Sequence, residues 1–78
     1  MIVWHVTSAA KLGRYLRSGE IAPPVRAWPD IQDAARFSVS TGRRVILRLR
    51  FPPNAAVLEG HQGRARVLQQ VYRLKGGL

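Results

Sequence analysis

The 78-residue chain carries eleven arginines and two lysines against four acidic residues, a formal net charge of +9, which draws it toward polyanions. It contains no cysteine, so disulfides, thiolate zinc sites and cysteine nucleophiles are excluded. The apolar share of 46% is that of a folded chain, and the length allows one domain over residues 1–78 with a small core.

Ile2 to Thr7 is β-branched and aromatic and reads as a strand, with Ile2, Trp4 and Val6 on one face and Val3, His5 and Thr7 on the other. Ser8 caps a helix from Ala9 to Ser18, and Gly19 supplies its left-handed stop. Leu12, Tyr15 and Leu16 form the apolar stripe of that helix, and Gly13 weakens it by about 1 kcal/mol relative to alanine. Pro23-Pro24 forces an extended segment that leads into Val25-Arg26-Ala27-Trp28.

Asp30 caps a second helix, with Asp33 at the positive end of its dipole. Ile31, Ala34, Ala35 and Val39 make a narrow buried face, and Gly42 ends the helix. Arg43 to Phe51 is the clearest strand, Val45, Leu47, Leu49 and Phe51 alternating with Arg44, Ile46, Arg48 and Arg50 until Pro52-Pro53 stops it. Glu59-Gly60-His61-Gln62-Gly63 closes a small, polar loop. Ala65 to Leu74 reads as a last strand, and residues 75–78 as a flexible tail. This order predicts an α+β fold: a small mixed or antiparallel sheet of about four strands with two helices on one face.

Arg44, Arg48 and Arg50 project from one strand face at about 6.6–6.8 Å per two residues. That interval suits the phosphate repeat of an extended nucleic acid, so the three are candidate nucleic-acid-binding residues. The same face, solvated, would equally serve to block edge-to-edge aggregation. A GC-rich genome or a hot habitat would also enrich arginine. Trp4, Trp28, Phe37 and Phe51 fall at positions expected to be buried, which leaves Tyr15 and Tyr72 as the rings free to stack on bases. His5 and His61 lie far apart with no carboxylate cluster beside either, which argues against a metal site. Glu59 lacks a second carboxylate for general acid–base work. No apolar run approaches the roughly 20 residues of a membrane span, and no signal-peptide pattern opens the chain, so a cytoplasmic protein without membrane contact is expected.

Trp4-His5-Val6-Thr7, the helix with Leu12 and Leu16, and the closing Ser18-Gly19 resemble the opening of ADP-ribosyltransferase-like domains, including the RNA 2′-phosphotransferase branch. Ala27-Trp28, the helix with Asp33-Ala34 and Phe37, and the strand Val45 to Leu49 extend the resemblance over residues 2–51, about two thirds of the chain. It implies that His5 would hold the ribose of an NAD cofactor with Thr7 in support, and that Trp28 or Ser38 would stand for the second motif. Gln69 and Gln70 occupy the late strand where that family carries a catalytic glutamate. The candidate ligand-binding residues are thus His5, Thr7 and Trp28, with no catalytic residue assigned.

Three functional expectations follow. The first is a basic domain that binds nucleic acid or another phosphate-bearing ligand without catalysis and without a cofactor. The second is a reduced NAD-dependent transferase-like or RNA phosphotransferase-like enzyme. The third is an interaction protein, such as a toxin–antitoxin component, whose sheet a second copy or a partner completes; a homodimer would cover apolar surface that so small a domain leaves exposed.

Overall fold

A computed structural model of the chain describes residues 1–59 and 64–74. The chain runs β1 (Ile2–Thr7), α1 (Ala9–Ser18), β2 (Glu20–Ile21), β3 (Val25–Ala27), α2 (Ile31–Thr41), β4 (Val45–Arg50), β5 (Val57–Glu59), β6 (Arg66–Leu68) and β7 (Tyr72–Arg73). This is an α+β fold of small antiparallel sheets. It has more strands than the four expected, and its helices are divided between the two faces of the β1–β4 pair.

Both helices are set by their caps. The Ser8 hydroxyl accepts from the Lys11 N–H at 3.1 Å and the Asp30 carboxylate from the Gln32 N–H at 2.8 Å, each satisfying a donor that the first turn leaves open. Gly19 and Gly42 end the helices at φ 78° and 73°, a conformation that side chains other than glycine's rarely adopt.

β1 pairs with β4 along its whole length, from Ile2 opposite Arg50 to Thr7 opposite Val45. On its other edge it meets the chain just beyond β3, where Trp4 and Trp28 exchange both backbone hydrogen bonds at 2.8 and 2.9 Å. β3 continues into β6 and β5, while β2 pairs with β7. The strand expected over Ala65 to Leu74 is therefore two short strands in two different sheets, and part of the expected loop is the strand β5. Residues 60–63, which include His61, and the expected tail 75–78 lie outside the described residues.

Because side chains alternate along a strand, β1 feeds two cores. Val3 packs with Ile21, Val25, Ala27, Leu49, Phe51 and Leu68. Val6 packs on the opposite face with Trp28, Ala34 and Ala65, flanked by Trp4, Phe37 and Ile46. α2 covers this second face through Ala34 and Phe37, whereas α1 reaches the first through Tyr15. Each fully buried aliphatic or aromatic side chain contributes about 1.5–3 kcal/mol. The helix faces are narrower than the sequence pattern implies: Val39 is 84% exposed, Ile31 47% and Leu16 45%. Asp33, buried on α2, pairs with Arg36 of the same helix at 2.9 Å and with Arg64 at 3.3 Å.

A Cβ added to Gly13 would meet the guanidinium of Arg17 at 3.4 Å, an ordinary contact with a flexible group. No close approach requires glycine there. Gly13→Ala should therefore stabilise the fold by about 0.5–1 kcal/mol, raising Tm by about 2–8 °C in thermal unfolding. An unchanged or lower Tm would show that α1 contributes nothing to global stability or needs the missing side chain.

Candidate functional site

His5 sits in the middle of β1, and its ring ties three elements together. A carbonyl can only accept, so the ring proton is on Nδ1, which donates to the Arg26 carbonyl of β3 at 2.7 Å. Nε2 is then the acceptor for the Tyr15 hydroxyl of α1 at 3.2 Å, the two rings lying 5.9 Å apart and tilted by 45°. Burial holds the imidazole below its usual pKa of 6.5; the Arg26 carbonyl opposes this, and the charges of Lys11 and Arg43 add to it. His5 is thus a neutral ring with both nitrogens engaged inside the protein.

Thr7 lies on the same face of β1 and is buried, its hydroxyl lacking a hydrogen-bond partner among the described residues. Trp28 is 1% exposed. It belongs to the core on the opposite face, against Val6 and with its ring 4.6 Å from that of Phe37. The structure therefore brings His5 and Thr7 to one face of β1 and places the Trp28 side chain on the other. The three do not share a cleft.

The arginines of β4 are arranged differently. Arg48 and Arg50 are exposed on one face of the strand, opposite Trp4 and Ile2 of β1. Arg44, also exposed, lies one residue before the strand begins. None of the three has a carboxylate partner among the described residues. Beside β4 runs an open groove of about 850 Å³ between Leu47–Phe51 and Gln70–Leu74. The Tyr72 ring, 5.1 Å from that of Phe51, packs on the first core, and its hydroxyl accepts the Arg50 N–H at 3.3 Å. Arg73 also borders the groove and pairs with Glu20 across the β2–β7 ladder at 3.3 Å.

No family model, curated protein or solved structure matches the chain. Tyr15 and Tyr72, the rings expected to be free for stacking, are both half-buried and serve as fasteners, one to His5 and one to the β4 backbone. Nothing local in the sequence places Arg73 or the 70–74 segment beside the arginine strand. Their only local signal is the basic residue next to an aromatic at Tyr72-Arg73, and the proximity comes from β7 pairing with β2. Among the described residues no group of His, Asp and Glu could hold a metal ion, and no helix is long and apolar enough to cross a membrane.

Because the folded pKa of His5 is depressed, the neutral ring's contribution to stability is fully present above about pH 6.5 and is lost as pH falls toward the folded value. An NMR titration of its ring protons should give a midpoint below 6.5. A midpoint at or above 6.5 would contradict the half-buried, doubly bonded ring.

Proposed function

We propose that this chain is a binding module for nucleic acid or another phosphate-bearing ligand, held on the arginine face of β4, and that it does no chemistry on what it binds. The observation that carries this reading is the pair Arg48 and Arg50, exposed on one strand face without carboxylate partners among the described residues. Two residues along a strand span about 6.6–6.8 Å, an interval that successive phosphates of an extended backbone can match. Guanidinium forks bind such oxygens in pairs. Arg44 extends the patch on one side and Arg73 borders the groove on the other.

Support for binding without catalysis comes from His5. Its proton and its lone pair are both committed to Arg26 and Tyr15, so it would have to break a contact to act as an acid or a base. The transferase-like reading remains the alternative, supported by His5 and Thr7 sharing one face of β1.

Binding of a single-stranded oligonucleotide should weaken steeply as salt rises, with a log–log slope of about −0.7 per phosphate neutralised. Arg48→Ala with Arg50→Ala should flatten that slope by about 1.4 while thermal unfolding shows the fold intact. Salt-independent binding, or a slope unchanged in the double variant, would overturn the assignment of the face. Calorimetric heat on adding NAD that His5→Ala abolishes would favour the transferase-like alternative.

A further inference from the structure

The phase of the β1–β4 ladder decides what lies on the outer edge of β4. The Phe51 N–H donates to the Met1 carbonyl at 2.9 Å, so by antiparallel alternation Leu49, Leu47 and Val45 turn their backbone groups toward β1. Trp4 gives the same phase independently, since its N–H and carbonyl point away from β4 to Trp28. Ile46, Arg48 and Arg50 therefore turn their N–H and carbonyl groups outward. Among the described residues β4 pairs with β1 alone. One outward donor, the Arg50 N–H, is taken by the Tyr72 hydroxyl. Those of Ile46 and Arg48 point away from β1 along the same edge, and Arg48 borders the groove.

We infer that this edge accepts an extended, acidic segment of a partner protein as an added strand. Side chains opposite each other across a ladder point to the same side. Partner residues opposite Arg48 and Arg50 would thus lie against two guanidinium groups that lack carboxylates. Partner residues in alternation with these, opposite Leu47 and Leu49, would face the groove wall of Val71, Tyr72 and Leu74. The partner chemistry this selects is an alternation of Glu or Asp with an apolar residue. A second copy of the chain fits poorly, because its own β4 would set arginine against arginine between two bodies each carrying +9.

The inference goes beyond the polyanion reading, since its ladder bonds need peptide N–H and carbonyl groups that a nucleic acid does not offer in this geometry. An acidic strand and a phosphate backbone would compete for Arg48 and Arg50.

The test uses the intact chain and a capped peptide of about eight residues alternating Glu and Val, long enough to span β4. Calorimetry at low salt should show binding, with the Ile46 and Arg48 amide signals shifting in NMR spectra. The same peptide N-methylated at alternate amides keeps its charge but loses ladder bonds, and should bind about tenfold more weakly or worse. Arg48→Glu with Arg50→Glu should lose the Glu–Val peptide and gain a Lys–Val one. Equal binding of the N-methylated peptide and the parent would reduce the interaction to charge alone and overturn the inference. So would no binding at low salt, or a concentration-dependent dimer that protects the Ile46 and Arg48 amides. Oligonucleotide binding in the same buffer reports separately on the polyanion reading, so either proposal can fail while the other stands.

Discussion

The fold depends on β1 being paired at both edges and covered on both faces. A chain of 78 residues has too little apolar surface to build two independent layers, so one strand must serve both cores. Val3 faces the core formed with β2, β3, β4 and β6, and Val6 the core under α2. One edge is secured by the full ladder to β4. The other is secured by less: one reciprocal backbone pair between Trp4 and Trp28, and the His5 ring holding the Arg26 carbonyl. His5 therefore links the two halves of the sheet, and the Tyr15 hydroxyl adds α1 to the same node. That role accounts for its partial burial and its lowered pKa.

Placing β1 inside forces β4 outside. An unpaired edge strand is an aggregation hazard that proteins commonly blunt with charge, and the outward-turned residues here include Arg48 and Arg50. The same two cations make the edge selective for what does approach it. They repel another basic surface and attract phosphates or carboxylates, with an interaction that salt screens over about 8–10 Å. Arginine concentrated at the edge thus joins a structural constraint to a binding property. The rest of the charge is spread differently: Arg36 and Arg64 neutralise buried Asp33, Arg73 pairs with Glu20, and Arg43 lies over the Phe37 ring at 5.9 Å.

The elements whose signals are local were legible in the sequence. Ser8, Gly19, Asp30 and Gly42 bound the two helices by capping chemistry that acts within a few residues. β1 and β4 are long enough for alternation to show, although β4 begins two residues after the expected strand does and ends at Arg50. Among the two- and three-residue strands, β3 was signalled by the extension that Pro23-Pro24 imposes. β2 and β5 were not legible, and β6 and β7 read as one strand, because so short a run has no period of its own. β5, β6 and β7 exist because partners distant in sequence lie beside them, and the break at Gln69–Val71 hands one run of residues to two sheets. At the site, exposure of the strand arginines followed from alternation, but the groove did not, since it needs β7 to pair with β2. The engagement of both His5 nitrogens was likewise invisible, as one partner lies 21 residues away and the other on α1.

Amide hydrogen exchange on the isolated chain tests this arrangement most directly, because neighbouring residues of one strand should behave oppositely. If β1 is interior and β4 is an open edge, the Leu47 and Leu49 amides exchange slowly, while those of Ile46 and Arg48 exchange faster by orders of magnitude. Equal protection along β4 in a monomer would mean that its outer edge is already covered, and would contradict both the edge and the binding roles assigned to it.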